Sequence, residues 1–247
     1  MKRITVTTSF ILTLVLASLN VAAQTTSRED ALKEIEAKRL ELLELEKAFL
    51  NPTEEDRNAF SEFLAQPGTG LIRLLPREKY ESEAYRENKK LFATRGGGSY
   101  YSFTKKTHEY SEDASINLER NTLGAGFVGT SYGLIATLGD VPLDSVNVAT
   151  PVVKILANHQ PPTDDEQARA LQHRTYQGLT LEGVVFKNRL PLDADMTYVI
   201  RCVNYTASDT MVAFRVVRVD TDGSAIIAWK HLRKFAIPQV VRNTGTQ

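Results

Sequence analysis

The sequence predicts an α+β fold: an N-terminal helical arm followed by a mainly antiparallel β domain, arranged as a curved sheet, a sandwich or a partial barrel. Three observations carry this expectation. Ser27 to Leu50 is a run of helix formers with an apolar stripe. Thr197 to Trp229 is rich in Val, Ile, Tyr and Phe and is broken by two turn signals. Between those strands there is no segment long enough for the crossover that parallel pairing requires.

The chain starts as an export signal does, with Lys2-Arg3, an apolar run from Phe10 to Leu16, and the small residues Val21-Ala22-Ala23 before Gln24. The run is interrupted by Thr13 and is short of the about 20 apolar residues that span a bilayer. The organisation expected is a signal peptide over 1–23, a helical arm over 24–66, a β-rich main domain over 67–240 and a disordered tail over 241–247. The product is expected in the periplasm or outside the cell, with no integral membrane segment after signal cleavage. Cys202 is the one cysteine, so no intramolecular disulfide forms and no lipid-acceptor cysteine follows the signal.

Thirty basic and thirty acidic side chains balance over the 247 residues. Loss of Lys2 and Arg3 with the signal leaves 28 against 30, a net of −2. A nucleic-acid partner calls for a basic excess, so none is expected. Residues 24–66 hold six basic and eleven acidic side chains. Their net of −5 reads as a solvated helix face, or as an acidic arm that docks on basic sequence of its own chain or a neighbour.

Taken in order, Ser27 with Asp30 opens the first helix as a hydroxyl cap followed by an acid. Leu32, Ile35, Leu42, Leu43, Leu45 and Phe49 form its stripe, which is expected to pack on its own domain, with helix-mediated dimerisation as the lesser reading. Asn51-Pro52 ends this helix, and Thr53-Glu54-Glu55-Asp56 begins another whose apolar face is Phe60, Phe63 and Leu64. Leu71 to Leu75, bounded by Gly70 and Pro76, suits a buried strand. Residues 77–90 are highly charged and fit either a helix or a loop. Val152 to Leu156 fits a strand or a helical turn, and Thr163 with Glu166 fits a capping box opening a helix towards His173. Thr197 to Thr206, Thr210 to Val219 and Ala225 to Trp229 form an antiparallel meander, with Tyr198, Ile200 and Cys202 on one face.

Most of the chain's glycines lie between Arg95 and Asp140, where two known patterns overlap. Gly124-Ala125-Gly126-Phe127-Val128-Gly129 has dinucleotide-fingerprint spacing, but Ser115 to Thr122 alternates like an antiparallel strand and Val148-Ala149-Thr150 stands where the ribose-binding acid belongs. No cofactor is therefore expected. Gly129-Thr130-Ser131-Tyr132-Gly133 matches the nucleophile turn of serine hydrolases, and Asp209 and His231 follow in a workable order. A secreted serine esterase using Ser131, Asp209 and His231 is thus the alternative to a non-catalytic protein. Against it stand the short chain before Ser131 and the antiparallel strands after it. The third reading takes the glycines as strand and turn residues of a curved ribbon.

Metal spacing is lacking: Asp220-Thr221-Asp222-Gly223 reads as a hairpin turn, His108-Glu109 lacks a second histidine at helical spacing, and His159 and His173 have no ligand-like neighbours. The expected ligand site is instead Arg95, Gly97 and Gly98, whose amides suit an anion, with Tyr100, His108 and Tyr110 as hydrogen-bonding rings for sugar or peptide. Simple alternation would instead point Tyr101 and Phe103 inward and leave Tyr100 and Ser102 facing water.

At Gly70-Leu71-Ile72-Arg73-Leu74-Leu75-Pro76, Arg95 to Phe103 and Ala213 to Arg218, the chain resembles a group of uncharacterised exported bacterial proteins with no assigned activity. The resemblance implies export and carries over no site, substrate or mechanism. The function expected is an exported non-catalytic binding or envelope-associated structural protein whose partner is a small molecule, a glycan or a protein.

Overall fold

The computed structural model describes residues 28–80, 96, 98–108, 110–127, 129, 131–205 and 207–240. The expected signal peptide and tail lie outside them. Two compact units divide between Leu40 and Glu41. Residues 28–40 of helix α1 (Arg28–Leu50) are the described part of the first, and the helix stripe is bare, with Leu32 at 58% and, in the second unit, Leu45 at 62% exposure. Only Glu46 and Leu50 of α1 are buried. In the second unit the stripe residues Leu42, Leu43, Leu45 and Phe49 are all exposed, so the own-domain packing expected of them is not seen there, and Leu50 is the apolar residue of the helix that packs.

That unit begins with α2 (Glu54–Ala59) and α3 (Ser61–Leu64). Thr53 caps α2 reciprocally: its hydroxyl accepts from the Asp56 amide at 3.1 Å, and the Asp56 carboxylate accepts from the Thr53 amide at 3.2 Å. The same carboxylate takes both forks of Arg218, at 2.6 and 3.0 Å. These helices, expected in an appended arm, are therefore built into the body.

The chain continues through β1 (Thr69–Leu74), α4 (Arg77–Tyr80), β2 (Tyr100–Tyr101), β3 (Ile116–Glu119), β4 (Thr122–Gly124) and β5 (Tyr132–Gly139). After α5 (Pro151–Asn158) and α6 (Asp165–Gln177) come β6 (Leu179–Leu181), β7 (Val184–Phe186), β8 (Arg189–Pro191), β9 (Thr197–Asn204), β10 (Ser208–Val219) and β11 (Ala225–Lys234). Of the stretch 77–90, residues 77–80 are helical and residues 81–90 lie outside the described residues, while residues 151–158 form a helix with Pro151 at its first position, where its missing N–H costs nothing. Asp164 rather than Thr163 caps α6, accepting from the Gln167 amide at 3.0 Å.

The fold is α+β with antiparallel pairing throughout. The main sheet has the order β1-β11-β10-β9-β5, a second sheet has β2-β3-β4-β8, and β6 pairs with β7. One face of the main sheet meets the second sheet over Trp229, Phe214, Tyr198, Ile200, Cys202, Ile116 and Leu118. The other face is covered by helices, with Phe63, Val153, Leu156, Ala168 and Leu171 packed on Val199, Val203, Met211 and Ala213. Every residue of β9 is buried because the strand lies inside the sheet with both faces covered. Cys202 is fully enclosed, and burial drives its thiol pKa far upward, the behaviour of a small hydrophobe.

The expected hairpin at Asp220 to Gly223 joins β10 to β11. Gly223 has φ +84°, and Asp222 accepts from Arg73 at 3.1 Å and the Tyr80 hydroxyl at 2.9 Å. Among the described residues no helix is long and apolar enough to cross a membrane.

Candidate functional site

The glycine-rich stretch folds back on itself to floor a cleft. Tyr100 on β2 and Asn117 on β3 pair in register, and Asn117 in turn faces Gly124 on β4. Gly126 turns the chain with φ +79°, and a side chain there would put its Cβ 2.7 Å from the Tyr132 backbone, so only glycine lets the turn lie against β5. Phe127 is thereby brought edge-on to Tyr100 at 5.2 Å, and Tyr110 meets the same ring at 4.9 Å. Tyr100 is 5% exposed. The alternation that left Tyr100 and Ser102 facing water fails because these aromatic neighbours and the Thr107 bridge cover them.

Helix α6 and the β7–β8 connection close the other side. Gln172 and Tyr176, one turn apart, share the α6 face that lines the cleft, and Tyr176 stands 54% exposed at the rim. Gln172 donates to the Ser131 carbonyl at 3.0 Å, tying α6 to the glycine stretch. Asn188 is held from both sides: its amide donates to the Thr175 carbonyl at 3.0 Å and its carbonyl accepts from the Ala125 amide at 2.9 Å. Its side chain lines the cleft, is 3% exposed, and has an amide oxygen with no hydrogen-bond partner among the described residues. An orphaned buried acceptor costs about 1–3 kcal/mol, so a rigid position holding one is a place where a ligand donor gains affinity.

The cleft is open to solvent, holds about 240 Å³, and combines a mainly polar accessible wall with aromatic rings. The charged lining residues are Arg77, Glu119 and Arg189. Glu119 lies 3.6 Å from Arg77 and 3.9 Å from Arg189, and the Arg77 guanidinium sits 5.8 Å over the Tyr100 ring.

Of the residues expected to bind ligand, Tyr100 and Tyr110 come together here. Arg95 and Gly97 lie outside the described residues. Gly98 packs under Leu50 and Leu75, and its carbonyl accepts from the Leu75 amide at 3.1 Å. His108 goes elsewhere, into an apolar groove of about 400 Å³ with Leu50, Leu71 and Tyr101. Its Nε2 meets the Arg73 carbonyl at 2.8 Å, and burial lowers its pKa to about 4. Arg77, Gln172, Tyr176, Asn188 and Arg189 were not expected, since no shared motif links them; the exposed Tyr176 one turn from Gln172 on a capped helix is the one local signal.

The esterase residues are not assembled. Ser131 is followed by strand β5, antiparallel to β9, where a nucleophile turn needs a helix. Asp209 is locked to Arg201, and the next residue on the strand, Thr210, meets His231 Nδ1 at 3.3 Å. Neighbours along a strand point to opposite faces, so Asp209 and His231 are separated by the sheet.

A second polar cluster lies under α5. Arg201 donates to the Leu156 and His159 carbonyls, both at 2.7 Å, and Tyr132 shares a 2.9 Å hydrogen bond with His159 Nε2. Burial, then the charge of Arg201, lowers the His159 pKa to about 4. Here the carbonyls, ring and carboxylate satisfy one another, as in a structural network. Compared with protein-family models, curated proteins and solved structures, the chain matches none.

Proposed function

We propose that this is an exported, non-catalytic binding protein that takes a polar ligand in the cleft between the glycine-rich stretch and α6. The observation that carries the reading is Asn188: a residue lining a polar cleft, fixed through its backbone to α6 and to Ala125 just after β4, has a buried side-chain oxygen with no hydrogen-bond partner among the described residues, which a small side-chain rotation would offer to a ligand. Tyr100, Tyr110 and Phe127 supply ring edges, and Tyr176 supplies an open face at the mouth. Export rests on the basic start, apolar run and small-residue cleavage site of residues 1–23.

A panel of pyranoses, disaccharides and dipeptides, screened by thermal shift and quantified by calorimetry, tests the proposal. A ligand from the panel is expected to lose about tenfold or more in affinity with Asn188→Leu and several-fold with the surface variant Tyr176→Ala. Undiminished affinity in both variants rejects the cleft.

A further inference from the structure

Resting on that cleft, we infer that its ligand is a glycan, held through one pyranose ring whose neighbouring hydroxyls bond the carboxamides of Asn117 and Asn188 and whose apolar face lies on Tyr176. Asn117 on β3 and Arg189 on β8 both pair with Gly124, and directly paired residues share a face of the sheet. A Cβ at Gly124 would come 2.4 Å from Asn117 Oδ1, so the glycine makes the room in which the Asn117 carboxamide lies. Asn188, one residue before Arg189, brings a second carboxamide to the cleft, and both asparagines are at most 4% exposed. Gln172 adds a third from α6, with its NH2 group held by the Ser131 carbonyl. A carboxamide carries a donor and an acceptor side by side, and each hydroxyl of a vicinal pair is both, so the two match at two points. A sugar hydroxyl also supplies the donor that the Asn188 oxygen lacks.

The other ligands that carboxamides recognise fit this cleft less well. An extended peptide adds to a free strand edge, whereas β3 and β4 are interior strands of their sheet, paired on both sides. A nucleobase is held by stacking on ring faces, and Tyr110 and Phe127 stand at 72° and 88° to Tyr100, so these rings form no parallel slot. A pyranose needs one ring face only, against its apolar C–H side, and the half-exposed Tyr176 at the rim offers it. The volume, about 240 Å³, is below the about 300–1,000 Å³ of sites for larger ligands, which limits the cleft to a single ring of the glycan.

Calorimetry on the full mature chain with methyl glucoside, methyl galactoside and N-acetylglucosamine, beside adenosine and diglycine, tests it. At least one pyranose is expected to bind, and to weaken about tenfold with Asn117→Ala and with Asn188→Leu. On the unaltered protein, removing one ring hydroxyl at a time from that sugar is expected to weaken binding about tenfold at one position or more. The loss at that position should shrink in Asn117→Ala or Asn188→Leu, where the partner of the hydroxyl is already gone. Asn188-dependent binding of adenosine or diglycine, with no pyranose bound, overturns the glycan inference while leaving the cleft in place. Pyranose binding that Asn117→Ala and every single deoxygenation leave unchanged overturns it as well. If no probe binds at millimolar concentration, or if binding is indifferent to both Asn188→Leu and Tyr176→Ala, the cleft reading fails with it.

Discussion

Asp209 meets Arg201 through two parallel hydrogen bonds, Oδ1 to Nε at 2.9 Å and Oδ2 to Nη2 at 2.8 Å, with both side chains at most 2% exposed. This pair uses both oxygens of the carboxylate that a catalytic histidine would need. Removing one partner strands a buried charge, so Arg201→Met is expected to cost about 3–5 kcal/mol in urea unfolding. The double variant Arg201→Met/Asp209→Leu is expected to recover part of that loss, because no uncompensated charge remains. Additive losses would show that the two side chains do not act as a pair. A phosphonate probe is expected to leave Ser131 unlabelled, and stoichiometric labelling would revive the esterase.

The floor of the cleft depends on Gly126. Its φ of +79° and the 2.7 Å approach to the Tyr132 backbone make Gly126→Ala costly by at least about 2 kcal/mol. Gly129 also has positive φ, +55°, but open space around it, so Gly129→Ala should cost about 1 kcal/mol. Equal losses in denaturant titrations would contradict the close approach at Gly126.

Asp56 serves both the α2 cap and Arg218. Its carboxyl is held below its ordinary pKa of 3.8, chiefly by the Arg218 hydrogen bond. Thr53→Ala removes the hydroxyl's bond from the Asp56 amide and its bond to the Asp56 carboxylate, and is expected to cost about 1 kcal/mol. Asp56→Ala removes the carboxylate half of the cap and the link to β10, and about 2 kcal/mol is expected after allowing for the partial exposure of Arg218. Chemical denaturation that ranks the two variants the other way would contradict this double role.

Stability should fall on mild acidification. His108 and His159 have folded pKa values near about 4, lowered from 6.5 mainly by burial. The unfolded chain therefore binds protons between pH 6.5 and about 4 that the folded chain does not, so stability is full above that window and declines as pH falls through it. Asp222 adds a loss at lower pH: although burial raises its pKa, hydrogen bonds from Ser224 and Tyr80 and the charge of Arg73 hold it down at about 2. His108→Gln keeps a donor for the Arg73 carbonyl, and the slope of unfolding free energy between pH 6.5 and 4 should drop by up to about 1.4 kcal/mol per pH unit. An unchanged slope would mean that His108 protonates freely in the folded protein.

Local rules made some elements legible. The meander β9–β11 shows in its β-branched runs and in the Asp-Gly turn, and the α2 start shows in Thr53 and its acids. The glycine run correctly marked tight geometry, and it supplies Tyr100, Asn117, Glu119 and Phe127 to the cleft. The other wall was not legible. Asn188 matters because Thr175 and Ala125 hold its backbone, two contacts made by separate elements that no spacing rule connects. The alternation that turns Tyr100 to water fails for the same reason, since it takes no account of Tyr110 and Phe127 lying over the ring. At α6 the capping box expected at Thr163 is off by one residue, because Asp164 takes the cap and the helix begins after it.

The most direct measurement is the side-chain amide NMR spectrum of the mature protein titrated with the tightest ligand from the panel of pyranoses, disaccharides and dipeptides. The cleft account predicts saturable shifts of the Asn188 and Gln172 side-chain signals, with the Asn188 amide protected from exchange at saturation. Shifts centred instead on the groove around His108 and Leu50, with Asn188 unmoved, would contradict it.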